Sequence, residues 1–140
     1  MSGAIWAKGT QFKRGNAATP EVFTAIAEIV TLSGPPLARD MEDVTNHDST
    51  AGWEEALPTV LRSGSISLEL NYQPAIATHA QLVDDLESGT AHNYQLIFSD
   101  VGLTTWTLRC FMESVSIEAP AAGKLACTVT LKITGQPTLV

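Results

Sequence analysis

The chain has 140 residues, of which 44% are hydrophobic and only 16% charged, and its formal net charge is −7. That length suits one domain, residues 1–140, around one sizeable core, and a charged fraction below the roughly 25% of ordinary soluble domains points to surface that partners cover. Eight scattered Lys and Arg against fifteen Asp and Glu exclude a protein that grips nucleic acid by neutralising its phosphates.

The opening Met1-Ser2-Gly3-Ala4-Ile5-Trp6 has neither the charged segment nor the apolar run of a secretory signal. No apolar stretch approaches the roughly eighteen residues needed to cross a membrane. The sequence therefore predicts a chain made and kept in a cytoplasm, without membrane insertion.

Strand signals dominate. Short runs over residues 4–7 and 10–13, split by Gly9 and closed by Gly15-Asn16, predict edge or arm pieces. Residues 22–32 are β-branched, aromatic and largely apolar on both parities, which predicts one strand covered on both sides, stopped by Gly34-Pro35-Pro36. Residues 35–61 lack sustained periodicity, and loops of this length are rarely without use. Residues 65–72 alternate strictly, with Ile66, Leu68, Leu70 and Tyr72 on one face and Ser65, Ser67, Glu69 and Asn71 on the other, as in a strand with one wet face.

A helix follows Pro74: Thr78 with Gln81 has the spacing of a capping box, Leu82, Val83 and Leu86 form an apolar stripe, and Gly89 supplies the stop. Three more strands are predicted over 92–99, 104–117 and 125–134, joined by hairpin turns at Asp100-Val101-Gly102 and Pro120-Ala121-Ala122-Gly123. The whole reads as a mainly β protein: an antiparallel β-sandwich or rolled sheet with one flanking α-helix.

Catalytic and metal-binding patterns are weak. His47, His79 and His92 are far apart, without an HxxxH or Cys/His spacing, and read as solvated or capping residues. His47-Asp48-Ser49 contains the residue types of a hydrolase triad, but adjacent residues cannot form the relay and no GxSxG elbow accompanies them. Asp84-Asp85 and Glu54-Glu55 diverge in direction as neighbours and read as solvated faces, and Arg62-Ser63-Gly64-Ser65 is an ordinary turn. Cys110 and Cys127 fall within strand alternation and read as buried free thiols. No catalytic residue, metal site or cofactor is expected.

In order along the chain stand Gly9-Thr10-x-Phe12-x-x-Gly15, Phe23-Thr24-x-Ile26-x-x-Ile29 leading to Ser33-Gly34-Pro35, and Asp43-x-Thr45-x-His47-Asp48-Ser49. Trp53-Glu54-Glu55-x-Leu57-Pro58, Ser63-Gly64 before the alternating strand, and a closing Ile133-Thr134-Gly135 complete the series. In this order and spacing the sequence resembles, nearly end to end, the tail tube proteins of lambda-like, long-tailed bacteriophages. The resemblance implies a β-sandwich with a flanking helix and homohexameric rings whose strands join one inner barrel. It also implies stacking of rings on a tape measure protein, with tail terminator and tail tip proteins at the ends. Four strands from each of six copies, spaced about 4.8 Å and tilted about 40°, would give a barrel roughly 45 to 50 Å across, through which DNA passes into the host without specific binding. The place of action would be the virion tail, assembled in host cytoplasm.

On this reading Ser67, Glu69 and Asn71, with Glu113 on the 104–117 strand, are expected to face the lumen. Acidity there would repel phosphates; its other reading is an aid to solubility. Residues 39–62, with Asp40, Glu42, Asp43, Asp48, Glu54 and Glu55 and the apolar Trp53, Leu57, Val60 and Leu61, are expected to form a ring-stacking loop that self-repulsion keeps extended. The alternative is a loop folded back on its own domain, burying Trp53. An N-terminal arm with Lys8, Lys13 and Arg14 is the expected docking surface. A contractile tail or type VI secretion tube shares the expected architecture. A monomeric β-sandwich carbohydrate-binding module, stacking sugars on Trp6, Trp53 and Trp106, is the rival of another class.

Overall fold

The computed structural model describes residues 2–139; Met1 and Val140, the ends of the expected 1–140 unit, lie outside it. In chain order it has strands β1 (Gln11–Gly15), β2 (Phe23–Ala25), β3 (Ile29–Leu32), β4 (Ala38–Asp43) and β5 (Ala56–Arg62). These are followed by β6 (Ser65–Asn71), helix α1 (Ala77–Ser88), β7 (His92–Ile97), β8 (Thr105–Glu118), β9 (Ala126–Ile133) and β10 (Thr138–Leu139). The strand-rich reading with one helix holds. All strand pairs are antiparallel.

The main sheet runs β2-β1-β7-β8-β9-β6-β3, with β10 added to β8. Its two outermost strands, β2 and β3, are consecutive in the chain and separated only by Ile26, Ala27 and Glu28. Laid flat, seven strands about 4.8 Å apart would put these edges about 29 Å from each other, whereas the four Cα steps from Ala25 to Ile29 reach at most about 14 Å. The sheet must therefore roll until its edges meet. The crossover also corrects the single strand expected over residues 22–32. The run breaks at Glu28, whose φ of 62° is left-handed, and only Ile26 within it is buried.

Inside the roll, alternation does the sorting. Ile66, Leu68 and Leu70 of β6, Leu108, Cys110 and Met112 of β8, and Cys127, Val129, Leu131 and Ile133 of β9 form the core with Phe12, Ile26, Leu82, Tyr94 and Leu96. Phe12 stacks on Tyr94 with ring centroids 5.2 Å apart. A bulge at Glu113 shifts the pairing between Met112↔Leu131 and Ser114↔Thr130. Even-numbered residues of β8 point inward before it and Val115 after it, so the strand keeps its apolar side on a curved core.

Helix α1 lies against β8 and is fastened at both ends by buried polar groups. At its start, His79 is fully buried: the Gln73 N–H donates to Nδ1 at 3.0 Å, and Nε2 sits 2.7 Å from the Ala27 carbonyl oxygen, which it reaches as a donor. This pins the helix to the crossover that closes the sheet. His79 is thus neither solvated nor a cap, and the capping box at Thr78 does not form. The N-cap is Ile76, without a side-chain bond, and the Thr78 hydroxyl is buried without a partner. Drawing His79 inward starts the helix early enough that Thr78 falls inside it. Gly89 does end it, at φ 65° with its N–H on the Asp85 carbonyl.

Toward its end the helix carries Asp84, Asp85 and Glu87 with no base in the last turn, an unfavourable set for the helix dipole. Strand β1 supplies the missing cation. Arg14 Nε and Nη2 donate to Asp85 Oδ2 and Oδ1, both at 2.6 Å, the Tyr94 hydroxyl donates to Oδ2 at 3.4 Å, and His92 Nε2 lies 3.2 Å from Oδ1. The expected solvated pair Asp84-Asp85 therefore holds only at Asp84, which is exposed, while Asp85 is buried. Its hydrogen bond raises the Arg14 pKa, and burial, reinforced by the Asp85 charge, raises that of Tyr94.

Two outcomes follow. Asp85→Ala leaves Arg14 half-buried without its acceptor, and is expected to lower stability to urea by roughly 3 kcal/mol. The double variant with Arg14→Ala should lose less than the sum of the singles, as denaturant midpoints will report. Cys110 and Cys127 are free and buried, and burial pushes Cys110 up to about 12 and raises Cys127. Both should resist maleimide in the folded protein and react once it is unfolded. Because the folded-state values lie above the ordinary thiol value of 9.0, the stability they contribute is full below about pH 9 and declines as pH rises toward 12. Unfolding midpoints measured across that range check the sign.

Candidate functional site

The segment expected to be an irregular loop is a β-hairpin. β4 and β5 pair only with each other, forming a second, two-stranded sheet that leaves the body at Pro35-Pro36 and returns at Ser63-Gly64. The roots pack closely: a Cβ added to Gly64, at φ 69°, would lie 2.6 Å from Pro36 Cγ. Every residue of β5 is exposed. A strand so placed tolerates Pro58, the residue that hides it from periodicity, and the turn-rich stretch between two runs of similar length was the available hint.

The hairpin tip is organised by its own side chains. The Glu55 N–H donates to Thr45 Oγ1 at 2.8 Å, the Thr45 N–H to Asp43 Oδ1 at 2.9 Å, the Asp48 N–H to Asn46 Oδ1 at 2.8 Å, and Ser49 Oγ to Glu55 Oε2 at 2.8 Å. The Thr45 bonds hold the Asp43 carboxyl below its usual range. At the root, Arg62 Nε donates to Asp40 Oδ2 at 2.8 Å, which lowers the Asp40 pKa. Local bonds, rather than charge repulsion alone, therefore shape this segment. Glu42, Asp48, Glu54 and Leu57 are exposed, and Trp53 is 76% exposed, so it is not buried in its own body.

The expected docking arm divides. Lys8 has its ammonium 5.4 Å over the Trp6 ring and makes no ion pair among the described residues, and Lys13 is half-buried on β1. Arg14 is a correction: its guanidinium is committed to Asp85 and cannot serve an outside partner. The arm and the β7–β8 turn together expose Ile5, Trp6, Val101 and Leu103. Beside the hairpin root, a cleft of about 580 Å³ is lined by Leu37, Leu61, Trp106, Pro137 and Leu139.

The wet face of the sheet is confirmed as exposed at Ser67 and Glu69 and extends sideways through the register. Ser67 lies opposite Thr130 and Thr130 opposite Ser114; Glu69 lies opposite Thr128 and Thr128 opposite Ser116. The bulged Glu113 joins it, since Ser65 Oγ donates to Glu113 Oε2 at 3.4 Å, and Lys132 stands beside Ser65. The face is a field of hydroxyls with few charges. Asn71 is a partial exception: it is half-buried at the strand end, with its side-chain and backbone N–H groups directed at Glu28.

Among the described residues no three His, Cys, Asp or Glu side chains gather as metal ligands, and no helix is long and apolar enough to cross a membrane. Trp6 lies in the N-terminal arm, Trp53 in the hairpin tip and Trp106 on β8, and Trp106 packs half-buried against the core, which deprives a sugar-binding platform of its parts.

Among curated proteins none matches the sequence. Solved structures do match its fold. The tail of an empty gene transfer agent particle, refined with C6 symmetry, superposes with a TM-score of 0.81 at 20% identity over 98% of this chain and 99% of that one. The SPP1 tail tube gives 0.73 at 11% identity, over 97% and 78%. The sheath/tube terminator structure of an extracellular contractile injection system gives 0.75 at 13%, over 100% and 99%. These likenesses establish the fold, which the tail structures and the contractile injection system share. A family model described as "Lambda phage tail tube protein, TTP" matches residues 4–140. With that match spanning nearly the whole chain, the protein belongs to the lambda phage tail tube protein family and is a structural component of a virion tail.

Proposed function

We propose that the chain closes homohexameric rings that stack, in host cytoplasm, into the tube of a long, non-contractile phage tail. The tube would form around a tape measure protein and be bounded by terminator and tip proteins. DNA leaves through its bore. The carrying observation is the β4–β5 hairpin, exposed at every residue of β5 and at all of β4 but Asp40, on a member of the tail tube family. A subunit that worked alone would have no reason to hold Met41, Trp53, Leu57, Val60 and Leu61 in water. The C6 tail of the gene transfer agent particle supports six as the ring number. Residues 1–140 act as one unit in this scheme.

Within it, Asp40, Glu42, Asp43, Asp48, Trp53, Glu54, Glu55 and Leu57 belong to the ring-stacking element, and Lys8 and Lys13, without Arg14, to the docking arm. Ser67, Glu69 and Glu113 face the bore, with Asn71 at its margin. A ring carries a formal charge of about −42, six times −7, but much of the acidity resides on the hairpin. The hydroxyl face, bearing Glu69 and Glu113 beside Lys132, offers phosphates few cations to bind.

Electron microscopy of the concentrated protein, with and without its tape measure partner, should show rings or hollow tubes; compact monomers under every condition would refute the scheme. Deleting residues 46–55, or Trp53→Ala, should preserve the circular dichroism spectrum and abolish tube growth. Glu69→Lys should leave tubes intact and slow DNA ejection, and unchanged ejection kinetics would remove Glu69 from the bore.

A further inference from the structure

The hairpin is held to the body at its root alone. β4 and β5 pair only with each other, and among the described residues no hydrogen bond or ion pair ties residues 38–62 to the rest of the chain. On one limb the last anchor is the Ser33 N–H, which donates to the Ser67 carbonyl oxygen at 3.0 Å. On the other, the Ile133 N–H donates to the Gly64 carbonyl oxygen at 3.1 Å and the Ser63 hydroxyl to that of Gly135 at 3.4 Å. Rotation within residues 35–37 and at Ser63 therefore moves the ribbon as one body and breaks no ladder bond.

Across the cleft beside this root, Leu37 and Leu61 face Trp106, Pro137 and Leu139. Leu37 is 53%, Leu61 68% and Leu139 55% exposed, so two apolar walls of one subunit are left wet. The β4–β5 register, with Arg39 opposite Leu61 and Met41 opposite Pro58, puts Met41 on the same side of the ribbon as Leu61; Leu57, opposite Glu42, is on the other. Arg62, also at the cleft, is already paired with Asp40, so closing the cleft would bury no unpartnered cation.

We propose that this open hairpin is one of two positions. In the free subunit it swings about its root onto the wall of Trp106, Pro137 and Leu139, and a growing tube end captures the open form. Closure rests on the ring-stacking reading and supplies its regulation, because it hides the face of Leu61 and Met41 and so withholds the subunit from assembly. Apolar burial favours the closed position. The bonds within the ribbon and its tip survive the swing, so a few root dihedrals are all that changes, and the fraction of open subunits sets the apparent affinity for a tube end.

The test uses monomers of the full chain carrying Met41→Cys with Leu139→Cys, treated with a thiol oxidant; the native Cys110 and Cys127 are buried. Met41 stands outside the cleft of the open form, and a disulfide requires Cα atoms within roughly 7 Å. An intrachain disulfide is expected for this pair and not for Leu57→Cys with Leu139→Cys, which is on the opposite face. The locked subunit should not add to tubes of the parent and should do so again once reduced. No disulfide in the first pair, equal yields in both, or locked subunits that elongate tubes like reduced ones would each overturn closure. Leu139→Ser, which weakens the wall, should lower the critical concentration for tube growth about threefold or more; an unchanged or raised value would also overturn it. If the parent forms no tubes, the ring-stacking reading fails, while the disulfide yields in monomers still decide whether the hairpin closes.

Discussion

The structure depends on one short crossing. Three residues, Ile26 to Glu28, carry the chain from one edge of a seven-strand path to the other, and no flat sheet can satisfy that reach. Rolling brings the apolar sides of β6, β8 and β9 against Phe12, Tyr94 and Leu96 and creates the core. The left-handed backbone at Glu28 is a local strain, of the order of 1 kcal/mol or more. Burial of fifteen hydrophobic side chains, each worth about 1.5 to 3 kcal/mol when a large aliphatic or aromatic group is fully enclosed, easily outweighs it.

The helix completes the closure through polar contacts that lie inside the fold. His79 joins it to the carbonyl of Ala27 in the crossing, and Asp85 joins it to Arg14 on β1. Both residues would be costly to bury alone. Each is satisfied by groups far away in sequence, so each fixes where the helix lies as well as that it lies there. The acidic end of the helix, unfavourable by itself, becomes the reason β1 and the helix share one position.

With the body closed in this way, what remains outside is an assembly surface. The hairpin has neither face covered, the N-terminal arm holds Ile5 and Trp6 in solvent, and β3 and β10 each leave a strand edge unpaired. A low charge fraction, which made the composition odd for a solitary protein, is accounted for by these surfaces: apolar side chains that are exposed on one copy are available for contact with others. The sheet's hydroxyl face is of a different kind, mostly polar, although Phe111, opposite Lys132, is exposed on it as well.

Period-two alternation over residues 65–72 and 125–134 determined those strands and their inward faces, because burial on one side of a pleated strand leaves that pattern and little else does. Gly89 likewise announced the helix end, since the left-handed turn there favours glycine. Motif order along the chain was enough for the family. Only the tertiary structure decided the rest. The break at Glu28 is invisible in an apolar run, since it reflects the position of two distant edges rather than any local preference. The bulge at Glu113, the inward turn of His79 and the capture of Arg14 by Asp85 each depend on a partner more than ten residues away. The hairpin escaped notice because a strand pair without a core has no buried side, and so writes no hydrophobic period into its sequence.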